Sequence, residues 1–229
     1  MTVTVYWSHS FLSDLIRPDG LVFDFGFNDG GFTRLLAPKC KRVIGFEPDP
    51  RWQNRQSLPD NAHLEQKALA ARRGKLRLHV NKEWQCASLH YAESDANAVE
   101  VEAVTLEEAL GLEPEGRIEL IKMDIEGEEV AVLMGAPKEL FSRVAQMTVE
   151  FHDFLDPASI PAIRKVIARM RSLGFYVFCF SWRSHGDLLF VNCKLAPLGL
   201  FQRLWLLARY KYIRGVGRVL KRQLACYKT

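Results

Sequence analysis

The chain of 229 residues has five cysteines, Cys40, Cys86, Cys179, Cys193 and Cys226, with no CxxC pair and no regular spacing. That pattern argues against a disulfide framework and a structural zinc site, and suits reduced thiols in a cytoplasmic protein. No run of 18 apolar residues occurs, so no spanning helix is expected. The start, Met1 to Trp7, lacks a basic region followed by a long apolar stretch, and no secretory signal is expected. There is no internal repeat and no low-complexity segment. Acidic residues are missing from Ala196 onward, where eight basic residues stand: Arg203, Arg209, Lys211, Arg214, Arg218, Lys221, Arg222 and Lys228. The formal net charge of +4 therefore belongs to the tail, and the rest of the chain is net acidic.

Also missing is the dinucleotide fingerprint Gly-x-Gly-x-x-Gly. In its place the apolar run Leu21-Val-Phe-Asp-Phe-Gly-Phe-Asn-Asp-Gly-Gly31 carries Asp24, Gly26 and Gly30. A second apolar run, Arg42-Val-Ile-Gly-Phe-Glu47, ends in an acid. In an α/β sheet this sets glycines at the first strand-to-helix turn and a carboxylate at the tip of the neighbouring strand. The glycines let the backbone approach a ligand closely, and Glu47 can accept hydrogen bonds from two ribose hydroxyls. A carboxylate at the mouth of the turn repels a pyrophosphate but suits a cofactor with a cationic ammonium and sulfonium. S-adenosylmethionine fits best; a dinucleotide, or a glycine turn with no ligand, is the alternative.

The remaining pattern alternates strands with helices. Strands are expected over 21–25, 42–47, near 63–70, over 75–80, 99–104, 117–124, 146–151, 175–180 and 188–191. Helices are expected over 32–37, 50–57, from Thr105 with a capping box to Glu108, over 128–134 with 138–142 as a continuation, and over 157–173 with Gly174 as the stop. The spacing implies a mostly parallel sheet closed by a hairpin.

The stretch Ile121-Lys-Met-Asp-Ile-Glu-Gly-Glu-Glu-Val-Ala-Val-Leu-Met-Gly-Ala136, with the Asp24/Gly26/Gly30 turn, the run Gly45 to Pro48 and the run Val149-Glu-Phe-His152, closely resembles the FkbM family of class I S-adenosylmethionine-dependent methyltransferases. The resemblance covers about Leu21 to Val191. It implies a Rossmann-like α/β fold with helices on both faces of a seven-stranded sheet of order 3-2-1-4-5-7-6, strand 7 antiparallel. It also implies O-methylation of a saccharide or secondary-metabolite hydroxyl. Carried over by residue, Asp24, Gly26 and Gly30 would line the methionine end of the cofactor and Glu47 would hold the ribose. Ala68 and Ser88 would sit near the adenine or the mouth of the site. The domain is expected over 1–195, with a basic helical extension over 196–229.

Open α/β sheets bind ligands at the carboxyl ends of their strands. Asp124 and Glu126 after the fourth strand, and Glu150 and His152 after the fifth, can converge there, with Asp124 also counted toward the cofactor. In one reading His152 is the general base, oriented by Asp124 or Glu150. In another, Asp124, Glu150 and His152 hold a divalent metal. In a third, His152 is a structural strand-end histidine. Glu129 reads as a solvated or helix-capping acid, His185 and Asp187 as part of a polar loop, and His9, His63, His79 and His90 carry no pattern. Trp84 and Trp182 fall in expected loops.

From Leu200 the residues segregate at helical spacing, with Phe201, Trp205, Tyr212, Val216, Val219, Leu220 and Leu224 on one face and bases on the other. Such a helix can pack on its own domain, join a second subunit, or lie on the cytoplasmic face of a membrane. Nucleic acid is disfavoured as a partner, because the body is acidic. A non-catalytic cofactor-binding scaffold anchored by its tail and an NAD-dependent oxidoreductase are the functional alternatives.

Overall fold

The computed structural model describes residues 1–52, 57–80, 87–88 and 98–213, with residues 80, 87–88 and 211–213 described by backbone alone. The chain opens with a hairpin, β1 (Val3–Tyr6) and β2 (His9–Leu12). The alternating units follow: β3 (Leu21–Phe25), α1 (Gly31–Leu36), β4 (Arg42–Phe46) and β5 (Ala62–Glu65). A second, four-stranded sheet comes next, built from β6 (Ala68–Leu69), β7 (Gly74–Val80), β8 (Ala87–Ser88) and β9 (Ala98–Val104) in the order β6-β9-β7-β8. Then come α2 (Leu106–Gly111), β10 (Ile118–Met123), α3 (Glu129–Gly135), β11 (Gln146–Val149), α4 (Ile160–Ser172), β12 (Phe175–Cys179), β13 (Leu188–Asn192) and α5 (Leu200–Leu206).

The main sheet runs β12-β13-β11-β10-β3-β4-β5. Strands β3, β4, β5, β10 and β11 pair in parallel, and β13 is antiparallel to both β11 and β12. This is the expected 3-2-1-4-5-7-6 order, read from the β5 edge. Period-two alternation decides what each face of the sheet meets. Leu21, Phe23 and Phe25 of β3 join the core beneath α2, α3 and α4, whereas Val22 joins Phe32 and Leu36 of α1 on the other face. Asp24 shares the Val22 face and therefore points toward α1.

Local signals account for the helix ends. Thr105 accepts the Glu108 amide at 3.2 Å while the Glu108 carboxylate takes the Thr105 amide at 3.0 Å, a complete capping box. Gly174, at φ +88°, ends the α4 segment. The first turn of that segment, Pro157–Ser159, is a 3-10 turn rather than α-helix, and so is Lys138–Arg143 after Pro137. Of the helix expected over 50–57, a 3-10 turn at Pro50–Trp52 is present and residues 53–56 lie outside the described residues.

Two differences concern the termini. Residues 1–20, to which the sequence assigned no element, form the β1–β2 hairpin. It is fixed by a reciprocal pair in which the Leu12 amide donates to Gln146 Oε1 (2.8 Å) and Gln146 Nε2 donates to the Leu12 carbonyl (2.9 Å). Second, the core does not stop at residue 195. Ala196, Leu198, Leu206 and Tyr210 pack in one cluster with Val3, Leu12, Phe178 and Leu189, and the Val3 amide donates to the Tyr210 hydroxyl at 3.4 Å. Phe201 and Trp205, expected on the apolar face of that helix, are exposed. The tail beyond residue 213, with most of its basic residues, lies outside the described residues. No described helix is long and apolar enough to cross a membrane.

Candidate active site

A cleft opens at the carboxyl ends of β3, β4 and β10. Gly26, Asn28, Phe46, Glu47, Pro48, Asp49, Trp52, Ala68, Leu69, Leu78, Asp124, Ile125 and Glu126 line it. Gly26 must be glycine: its φ is +83°, and a Cβ there would lie 1.9 Å from the Asp124 carbonyl oxygen. Glu47 closes one end. Its Oε2 accepts the Asn28 amide at 2.8 Å and its Oε1 accepts the Asp49 amide at 3.0 Å. Burial pushes its carboxyl up to about 7, against the opposing effect of those amides. Ala68 and Leu69 form β6 and are buried in the cleft wall. Gly30 is the αL residue that opens α1, with φ +73°, and does not line the cleft.

Asp24 differs from expectation. It has no exposed surface and does not line the cleft. Its Oδ2 accepts the Thr33 hydroxyl at 2.8 Å, and Lys122 Nζ stands 3.4 Å from Oδ1. The pleat explains this, since Asp24 faces α1 together with Val22. Lys122, the one cation of the buried strand β10, also donates to the Gly26 carbonyl at 2.6 Å and lies 3.8 Å from Asp124 Oδ2. Burial opposes its charge, but Asp24 and Asp124 outweigh that and raise its pKa. Asp24 thus reaches the glycine turn through Lys122.

Asp124 and Glu126 face the cleft with about a quarter of each side chain exposed (27% and 25%). Glu126 sits at φ +54° and Gly127 at φ +115°, a tight left-handed turn after β10. Glu129 is not solvated. It is 1% exposed and accepts the amides of Ile125 (3.0 Å) and Gly127 (3.1 Å), which fixes that turn. His152 is wedged among these acids: Nε2 is 3.3 Å from Glu126 and 3.7 Å from Asp124, and Nδ1 is 3.4 Å from Glu129. Burial works against its charge, but Glu129, Glu126 and Asp124 together hold its pKa up at about 9. At neutral pH His152 is therefore an imidazolium with no lone pair to accept a proton.

Glu150, on the neighbouring strand end, is mostly buried. Ser8 Oγ donates to its carboxylate, and burial together with the nearby Asp124 charge pushes its pKa up to about 7. His9 completes the group. Its Nε2 lies 3.4 Å from Asp124 Oδ2 and 3.7 Å from Glu150 Oε2, and Nδ1 lies 3.4 Å from the Thr148 hydroxyl. Burial lowers its pKa and keeps the ring neutral. Burial also opposes the charge on Asp124, but Lys122, His9 and His152 outweigh it and hold that carboxyl below the usual range. The hairpin that carries Ser8 and His9 is locked to the site by Asp187, which accepts both the amide (3.0 Å) and hydroxyl (2.7 Å) of Ser10. His185 pairs with Asp153 at 2.7 Å in the adjoining loop.

The structure therefore brings Asp124, Glu126, Glu150 and His152 together and puts Glu47, Gly26 and Ala68 on one cleft. The side chain of Ser88, and all of Trp84 and His90, lie outside the described residues. Sequence reasoning missed Ser8, His9, Asn28 and Lys122. Lys122 alone left a signal, as a lone cation within a buried strand. The metal set Asp124/Glu150/His152 is not the grouping observed. Among the described residues the sets whose ligand atoms lie within 4.8 Å of one another are His9/Asp124/Glu150 and Asp124/Glu129/His152, and Lys122 and the His152 cation already face their shared Asp124.

A family model described as Methyltransferase FkbM domain matches residues 24–177. Solved structures that match the chain include Methyltransferase FkbM from Methylobacillus flagellatus KT, at 14% identity and TM-score 0.49, over 77% of this chain and 44% of that one. The chain thus spans less than half the length of that protein. An rRNA methylase from Streptococcus thermophilus matches at 11% identity and TM-score 0.47, over 78% of this chain and 88% of that one. A Streptococcus mutans protein in complex with SAH matches at 11% identity and TM-score 0.43, over 78% and 88%. None of the curated proteins compared with the chain matches it.

Proposed function

The chain belongs to the FkbM methyltransferase family, and we propose that within it the protein transfers a methyl group from S-adenosylmethionine to a hydroxyl oxygen of a saccharide or secondary metabolite. One observation carries this reading: a single cleft has a ribose-type acceptor, Glu47, at one end, a glycine turn in the middle and the carboxylates of Asp124 and Glu126 at the other. The residues fit the cofactor. Gly26 lines the cleft with bare backbone, since a Cβ there would strike the Asp124 carbonyl, and Glu47 keeps free lone pairs beyond the two amides it accepts. Around Asp124 the carboxylates of Asp24, Glu126, Glu129 and Glu150 outnumber the cations Lys122 and His152. That negative field matches a ligand end that carries both an ammonium and a sulfonium.

When bound, S-adenosylmethionine supplies an electrophilic methyl group whose leaving group is a neutral thioether. The protein has to align the acceptor and remove its proton. Glu150, behind the cleft lining and next to Asp124, is the proposed proton acceptor, because its pKa near neutrality matches the task and Ser8 fixes its carboxylate. His152 acts as a fixed cation that holds Asp124 and Glu126 in place, in contrast to the expected general base. His9, neutral, stands beside both carboxylates, with Nε2 3.4 Å from Asp124 and 3.7 Å from Glu150.

The test is differential stabilisation. A ligand at a hundred times its Kd stabilises a protein by about 2.7 kcal/mol, a rise of roughly 5–10 °C in Tm for a chain of this size. S-adenosylhomocysteine should produce that rise and NAD should not; the reverse would establish the oxidoreductase. Binding without turnover of S-adenosylmethionine against a panel of hydroxylated acceptors would support the non-catalytic scaffold instead.

A further inference from the structure

Helix α5 is apolar on two sides, and the described residues cover only one of them. Leu206 is fully buried, and just beyond the helix Tyr210 packs in the same core cluster. On the outer side Leu200, Phe201, Leu204 and Trp205 recur at i, i+1, i+4 and i+5. Their exposures are 58%, 86%, 54% and 52%. Four large side chains on adjacent turns make a contiguous apolar patch of the kind that marks an interaction surface.

Charge decides what the surface fits. Arg209 lies 5.4 Å over the Trp205 ring and Arg203 lies 4.7 Å over Tyr176, so guanidinium groups border the patch. The sequence from Ala196 onward adds six further bases and no acid. We propose that this face docks on an anionic lipid bilayer. Phe201 and Trp205 would enter the boundary between headgroups and acyl chains, while the arginines and lysines stay at the phosphate level. A second copy of the chain could cover the apolar side chains, but it would bring an equally basic tail to the same place with no acid there to offset it. A nucleic acid would match the charge and leave Leu200 and Leu204 uncovered in water. A lipid surface uses both properties. The acidic body is repelled by the same surface, so the tail side is the side that approaches.

The test uses the full chain and co-sedimentation with two vesicle preparations, phosphatidylcholine alone and phosphatidylcholine with one third phosphatidylglycerol. Partition to the mixed vesicles should be at least about tenfold stronger and should weaken as salt screens the charges. The exposed double variant Phe201→Glu/Trp205→Glu should lose about tenfold or more of that partition while its Tm and its response to S-adenosylhomocysteine stay at wild-type values. Should that variant melt early, Arg209→Gln keeps the test open, with an expected loss of about fivefold for one surface charge. Equal partition to both preparations, or none to either, overturns the proposal. So does a wild-type dimer in sedimentation velocity that the double variant converts to monomer with vesicle partition unchanged, which would give the face to a second copy.

Discussion

Replacing Glu47 with glutamine should make the protein less stable than wild type in mild acid and close that deficit, or reverse it, in mild alkali. The Glu47 carboxyl has a folded-state pKa of about 7 against the usual 4.5, because it is buried. The sign follows from proton counting. Between those two values the folded state retains a proton that the unfolded state has released, so stability is full below 4.5 and falls as pH rises through 7. A gap of about 2.5 units at about 1.36 kcal/mol each is a loss of about 3 kcal/mol. Glutamine cannot ionise and removes that loss. It also turns one acceptor oxygen into an NH2, so the amide of Asn28 or of Asp49 loses its partner, at a cost of about 1–3 kcal/mol. The variant should therefore be about 1–3 kcal/mol less stable than wild type at about pH 4.5, and equal or more stable at about pH 8. Urea denaturation of both proteins at several pH values measures this, and the subtraction removes groups that titrate in both, Glu150 among them. A difference in stability that does not change across that range would refute the buried-carboxyl reasoning.

Two further outcomes are expected. Lys122→Met should cost about 3–5 kcal/mol, because it leaves Asp24 facing Asp124 with no cation between them. The added change Asp24→Asn should restore more than half of that loss, and urea midpoints that move by under about 1 kcal/mol in the single variant would contradict the pairing. His152 should carry protons on both ring nitrogens at about pH 7.5 and titrate near 9, as read by 15N chemical shifts of the ring. Its stabilising effect, complete below about 6.5, should fade as pH rises through 9, and a neutral tautomer at about pH 7.5 would contradict the assignment.

The parts of the fold legible in the sequence are those set by local rules. The apolar run Leu21–Phe23 stops at Asp24, β4 and β10 are followed directly by Glu47 and Asp124, and Thr105 with Glu108 marks the start of α2 correctly. Glu47 and Gly26 are legible for the same reason, since the turn after a parallel strand has few solutions. Asp24 shows how a local rule can mislead. It stands two residues after Val22 and one before Phe25, and the two-residue repeat, rather than its place at the strand tip, decides which way it points. His152 is recognisable in the sequence as a member of the site, but its protonation state is not legible there. That state depends on Glu126 and Glu129 arriving from a different strand end. Ser8 and His9 were out of reach, because the hairpin that carries them is held by Asp187 and Gln146, far away in the chain, and no local spacing encodes that docking.

The position of β13 has a consequence for how the chain is made. Strand β12 (Phe175–Cys179) joins the main sheet only through β13 (Leu188–Asn192), which is synthesised after it. Until residue 192 has left the ribosome, β12 has no seat and the outer edge of β11 is bare. The family-matched segment ends at residue 177, inside β12. A polypeptide trimmed to that segment would present the Gln146–Val149 edge to other chains and invite aggregation.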